Sequence, residues 1–177
     1  MKIAILLFFL LGACNHQKKQ DASFIRKENI QKFRIESPAF DNGGFIPVKY
    51  TADGENISPP LKISGTPQGT KSLALIVDDP DAPFGTWVHW VVFNISPNIN
   101  FIPEGTQPQG LQGINDFKTL KYGGPSPPSG THRYFFKLYA LDTVLNIPEG
   151  ASKKEVEKAM EGHILAEAVL MGKYSRR

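Results

Sequence analysis

Three segments of this chain gather side chains able to do chemistry. The first is Asp78-Asp79-Pro80-Asp81-Ala82-Pro83. It follows an apolar run directly, and proline cannot continue a central strand, so the chain must turn there. Asp79 and Asp81 then stand at a strand's end, with backbone directions held by two prolines. Carboxylates in such a turn either cap nearby N–H groups or serve a site. The second segment is His89, inside the apolar stretch Trp87–Asn94. A histidine there is either a hydrogen-bonded core residue or a proton-handling group. The third runs from Tyr122 to Tyr134, where a Gly/Pro/Ser loop leads straight into His132-Arg133-Tyr134. His132 and Tyr134 are two residues apart, so on a strand they share one face, about 7 Å apart. Phe136 and Leu138 share that parity, which makes core packing the competing reading.

Together these segments offer two imidazoles, a phenol, two carboxylates and a loop with free backbone N–H groups. Imidazole and phenol can donate to a phosphate or carboxylate oxygen. A carboxylate beside a histidine fixes its tautomer and favours its charged form. A bare aspartate would repel a phosphate, so orienting the histidines is the expected role of Asp79 and Asp81. A hydrolase built on Ser126 or Ser129 with His132 is an alternative. The Pro125-Ser126-Pro127-Pro128 loop, however, lacks the Gly-x-Ser-x-Gly elbow. A metal hydrolase using His89, His132, Asp79 and Asp81 finds no His-x-x-x-His or Cys pair to support it. The reading is therefore ligand binding without turnover, with no catalytic residue, cofactor or metal assigned.

The elements that must position these groups are mostly strands. Ser72–Asp78 is a nearly continuous apolar run, too short for a typical helix, and reads as a central strand. Trp87–Asn94 is rich in β-branched and aromatic residues, and Arg133–Leu141 is a third such run. Phe33 and Ile35 alternate with polar residues. Asp41-Asn42-Gly43-Gly44 is a turn signal, and Phe45–Tyr50 after it reads as a further strand. The exception lies near the C-terminus. Ser152 and Glu155 form a capping box, and Val156, Met160, His163 or Ile164, and Leu170 or Met171 recur at helical spacing until Gly172. The expected fold is mainly β, a sandwich or barrel with one amphipathic helix near its end.

The chain has 177 residues, enough for one domain. With 41% hydrophobic and 21% charged residues it can bury a core. Its 16 glycines and 14 prolines point to many turns. A formal charge of +3 is too weak a field to argue for nucleic acid. The single cysteine, Cys14, excludes an internal disulfide. Residues 1–13 have the layout of a signal peptide: Lys2, an apolar run from Ile3 to Leu11, then Gly12-Ala13. Leu11-Gly12-Ala13-Cys14 resembles the bacterial lipobox, which makes Cys14 the expected lipidation site and new N-terminus. Each buried acyl methylene contributes about 0.8 kcal/mol, so several chains anchor stably. Residues 14–32 are polar and read as a tether, with a short helix possible over Ser23–Lys32. The folded domain is expected at 33–177. Asn15 after the cysteine is similar to lipoproteins sent to an outer membrane, on its periplasmic side; in a single-membrane cell the same anchor implies the cell surface.

Four motifs in order carry a resemblance. They are Asp79–Pro83; Trp87–Trp90 leading to Asn94; Gly113-Ile114-Asn115-Asp116-Phe117; and Tyr122–Pro128 followed by Gly130–Tyr134. Ile57–Leu61 agrees as well. Over about residues 33–174 the chain resembles the phosphatidylethanolamine-binding (Raf-kinase-inhibitor-like) proteins in their bacterial form. The resemblance implies two packed antiparallel sheets with a C-terminal helix. It also implies a small anion pocket lined by Asp79, Asp81, His89, Pro127, His132 and Tyr134, with phosphate-bearing head groups as ligands. Some members inhibit kinases or proteases, so an inhibitor or scaffold role is the alternative. Two positions depart from the pattern: Ser126 where cysteine is frequent, and Ile63 where tryptophan is frequent.

Overall fold

The computed structural model describes residues 32–176. The expected leader, the acylated Cys14, the tether up to Gln31 and the short helix from Ser23 lie outside the described residues.

Among the described residues eight strands, one 3-10 turn and one helix follow in order: β1 (Arg34–Glu36), the turn Val48–Tyr50, β2 (Leu61–Ser64), β3 (Ser72–Asp79), β4 (Trp87–Ile95), β5 (Phe101–Ile102), β6 (Leu111–Gln112), β7 (Thr131–Leu141), α1 (Lys153–Met160) and β8 (Ile164–Ser175). A three-stranded sheet has the order β1-β2-β5, and a five-stranded sheet the order β6-β4-β3-β7-β8. All strand pairs are antiparallel. The mainly β expectation holds.

Every residue of β3 is buried, because both faces of its sheet are covered. That is why its sequence is apolar throughout instead of alternating. Leu73, Leu75 and Val77 point into the main core with Trp90, Phe136, Leu138, Leu61 and Ile63. Ala74 and Ile76 point the other way, into a second cluster with Val91, Phe93, Val156 and Met160 of α1. Strand β7 is covered more fully on one face than the other, and its burial alternates accordingly from His132 to Ala140.

Two expectations need correction. The capping box is present, with Ser152 Oγ accepting from the Glu155 N–H and Glu155 accepting from the Ser152 N–H. The helix it starts, however, ends at Met160. Gly162 takes φ +78, which favours glycine and breaks the helical path. Residues 164–175 then form the long edge strand β8, paired with β7 from Thr131 to Leu141. Its inward residues are Ala166, Ala168, Leu170, Gly172 and Tyr174, a period of two that coincides at a few positions with a helical one. Gly172 is inside this strand, not at a helix stop. A Cβ there would lie 2.5 Å from the Ile46 side chain.

The second correction concerns Phe45–Tyr50. Phe45 makes one parallel bridge to Lys173, and Pro47 then supplies no donor, so the chain curls into the Val48–Tyr50 turn.

Candidate functional site

Asp79 is the last residue of β3. Pro80 ends the ladder, and Asp79 Oδ1 accepts the Asp81 N–H at 2.8 Å, which locks the turn. Asp79 Oδ2 is then free to accept from Nδ1 of His132 on β7, 2.7 Å away. Both partners are almost wholly buried. Antiparallel pairing of β3 with β7 places Asp78 opposite Phe135, so the end of one strand meets the start of the other.

His89 sits in β4 with its side chain toward the same end of the sheet. Its Nδ1 lies 2.6 Å from the Gly123 carbonyl. A carbonyl oxygen only accepts, so this nitrogen carries the proton. The backbone reinforces the bond, because the Gly123 N–H donates to the His89 carbonyl at 3.0 Å. Asn115 Nδ2 donates to that same carbonyl at 3.1 Å and to the Lys121 carbonyl at 2.7 Å. Burial pushes the His89 imidazole below its ordinary value.

The Tyr122–Pro128 loop is held tightly. Tyr122 Oη donates to the Tyr50 carbonyl, and the Gly124 N–H donates to Asn56 Oδ1 at 2.7 Å. The expectation of free backbone N–H groups therefore fails at both glycines, whose donors hold the loop in place. Neither glycine has room for a side chain. A Cβ on Gly123 would meet the Phe117 ring at 2.5 Å, and one on Gly124 would meet Asn56 Oδ1 at 2.7 Å.

These elements enclose a cavity of about 270 Å³ lined by Asp79, His89, Ser126, Pro127, Pro128 and His132, with Ala82, Pro83, Phe84, Trp87 and Phe117 at its sides. Both histidines turn Nδ1 to a protein oxygen. Among the described residues Nε2 of each has no protein partner and is not sealed from solvent. That leaves Nε2 as the atom each ring presents to the cavity.

Four of the six residues expected at the site line the cavity: Asp79, His89, Pro127 and His132. Tyr134 lies in the wall behind, almost fully buried, with its ring edge-to-face on His89 at 5.2 Å. Its hydroxyl is sealed and has no hydrogen-bond partner among the described residues. Burial, then the charge of Asp79, pushes this phenol well above the usual range. Asp81 does not line the cavity. It accepts from Arg133 Nε, Nη2 and backbone N–H at 2.7–2.9 Å, and Arg133 holds its carboxyl down at about 2. Of the two aspartates expected to orient histidines, Asp79 has that geometry and Asp81 does not.

The aromatic side wall was absent from the sequence reading of the site. Phe117 packs edge-on against both His89 (5.3 Å) and Trp87 (5.5 Å). Phe84 is fully exposed at the mouth, and Trp87 and Phe117 are partly exposed. The available signal was a tryptophan at a strand's first residue and a Gly-Gly pair making room for a ring. Ser126 Oγ takes a hydrogen bond from Arg176 Nη2 at 2.8 Å, and Arg176 also grips Asp53. No group of three His, Cys, Asp or Glu side chains among the described residues is arranged to hold a metal.

A UPF0098 protein from Methanothermobacter thermautotrophicus is 57% identical over 148 residues, covering 80% of this chain and 98% of its own length. The crystal structure of a Chlamydia trachomatis homologue of phosphatidylethanolamine-binding protein superposes with TM-score 0.79 at 45% identity, covering 82% of this chain and 98% of that one. Escherichia coli YbcL, described as a member of the mammalian family, gives TM-score 0.76 at 33% identity, over 82% of this chain and 99% of its own. The family described as phosphatidylethanolamine-binding protein matches residues 36–175. The two packed sheets, the Asp79–His132 pair and the loop closing over His89 therefore belong to a member of the phosphatidylethanolamine-binding protein family.

Proposed function

We propose that this protein is a membrane-anchored lipoprotein whose domain binds a small anionic, phosphate-bearing ligand such as a phospholipid head group. One observation carries the reading: two imidazole Nε2 atoms, from strands far apart in sequence, turn toward one cavity of about 270 Å³. A protonated Nε2 donates a charge-assisted hydrogen bond to an anionic oxygen. The volume suits a head group rather than a whole lipid, since pockets for drug-sized ligands run from about 300 Å³ upward. The anchor is supported by the lipobox at Leu11–Cys14. It sets the domain at the outer membrane of a double-membraned cell, or at the surface of a single-membraned one.

Retention of the ligand, not its turnover, is part of this proposal. Ser126 Oγ accepts from Arg176 and makes no hydrogen bond to an imidazole, so the pair needed to activate a serine nucleophile is not assembled. A second reading, inhibition of a partner kinase or protease, is favoured by the exposed apolar mouth formed by Phe84, Trp87 and Phe117.

The test is an NMR titration of the full chain in detergent with phosphoethanolamine. The His89 and His132 ring signals are expected to move together and saturate. Rings that stay put at millimolar ligand would defeat the anion reading. Native mass spectrometry of the protein from its own membrane checks the anchor, with diacylated Cys14 as the expected N-terminus. For the second reading, inhibition of a native kinase or protease should disappear in Phe84→Ser.

A further inference from the structure

We infer, resting on the anion reading, that this site takes an oxyanion together with a proton. An oxyanion that carries its own acidic O–H, such as hydrogenphosphate, satisfies it most directly; a fully deprotonated anion must draw protons from solvent as it binds.

The inference follows from where each ring's proton already is. His89 Nδ1 faces a main-chain carbonyl at 2.6 Å. His132 Nδ1 faces a carboxylate oxygen at 2.7 Å. Both partners are acceptors, so both rings hold their first proton on Nδ1 and, when neutral, present a lone pair at Nε2. Two lone pairs aimed into one cavity are a poor match for a bare anion, because acceptor would meet acceptor. An O–H on the ligand reverses the polarity of one contact, and protonating an imidazole reverses it at the other.

Donors beside the rings are few: the Trp87 indole N–H and the Ser126 O–H, whose oxygen accepts from Arg176, line the cavity, and neither removes the lone pair that each neutral imidazole presents at Nε2. The Tyr134 and Phe117 rings pack against His89, and the negative charges that act on it are those of Asp79, of Asp116, which accepts the Val88 N–H, and, from across the sheet, of Asp78. His132 is faced by Asp79 and Asp81 on the turn, by Arg133 beside it, and by Tyr174 opposite on β8. Arg133 is occupied by Asp81, and Arg176 by Asp53 and Ser126. The Gly123 and Gly124 N–H groups are used within the fold, and the three prolines of the loop have none. The Tyr134 hydroxyl is sealed from solvent.

Calorimetry on the full chain, repeated in buffers of different ionisation enthalpy, counts the protons taken up. The probes are inorganic phosphate, sulfate and glycerophosphoethanolamine. At about pH 8 phosphate still carries one acidic O–H, while sulfate and the phosphodiester of glycerophosphoethanolamine carry none and its ammonium keeps its proton throughout, so phosphate should take up about one proton fewer than either. Affinity for each should fall as pH rises, by up to about tenfold per pH unit per proton taken up. The phosphate and glycerophosphoethanolamine arms also separate a free phosphate from a lipid head group, through their relative affinities. Binding with no proton uptake, or with equal uptake for all three, overturns this inference and leaves the anion reading standing. No binding of any probe overturns both. Long-range nitrogen NMR of the free protein checks the premise: a ring found protonated at Nε2 and bare at Nδ1 overturns it.

Discussion

Asp78 and Asp79 are neighbours in one strand, and they face opposite sides of the five-stranded sheet. Asp79 has one imidazole partner, His132, whose other nitrogen opens into a cavity. Asp78 is buried on the helix side and receives two ammonium groups on one oxygen, Lys137 at 2.9 Å and Lys153 at 2.5 Å, while its Oδ1 has no partner among the described residues. The same functional group thus does two different jobs one residue apart. On one face it holds β7 and the start of α1 to β3. On the other it orients a ring and leaves that ring's working atom free. A buried acid signals a site only when its partner keeps an unused polar atom near an opening.

The sharpest way to break this contrast is to remove each acid's work in turn. Asp78→Ala leaves two part-buried cations without their counter-charge. It should destabilise the fold by about 3 kcal/mol, since breaking a buried pair from one side is expensive. Urea unfolding measures this, and phosphoethanolamine affinity of the folded fraction should change little. His132→Ala is the counterpart. It should weaken phosphoethanolamine binding at least about tenfold, which is about 1.4 kcal/mol, with a smaller loss of stability. If Asp78→Ala removes binding and His132→Ala does not, the division between the two faces is wrong.

Smaller effects sharpen the comparison at its edges. Ser152→Ala removes the cap of the helix that brings Lys153 to Asp78, and should cost about 1 kcal/mol in thermal unfolding. Arg133→Ala breaks a half-exposed pair with Asp81 and should cost well under about 1 kcal/mol. Its signature is a pH dependence. Arg133 holds Asp81 at about 2, below the ordinary aspartate near about 3.9. The folded form therefore binds this proton less readily than the unfolded chain. The stabilisation is complete above the ordinary value and is lost as pH falls from there through about 2. Acid titration of the variant should show a shallower decline, the remainder coming from the backbone N–H of residue 133, which still donates to Asp81.

How much was legible in the residues depends on the range of the interaction. The central strand announced itself because β3 is covered on both faces and its code is unbroken apolarity. The Ser152–Glu155 cap is local and was legible to the residue. The helix end was not: Val156, Met160 and Leu170 fit a period of 3.6, and only pairing with β7 selects a period of two after Gly162. At the site, His132 and Tyr134 were legible as one face of a strand, but not that the first would line the cavity and the second lie behind it. Asp81 was misread because its partner, Arg133, arrives from 52 residues away. Phe117 was missed for the same reason: its place beside His89 depends on Asp116, which accepts the Val88 N–H across 28 residues.

The His89–Gly123 contact has one more consequence. The atom that dictates which side of the imidazole holds hydrogen belongs to the polypeptide itself. Exchanging one amino acid for another at position 123 cannot delete that oxygen; it can only displace it, by crowding Phe117. The polarity of this ring is thus inherited through the path of the loop, so point substitutions that spare the path should leave it intact.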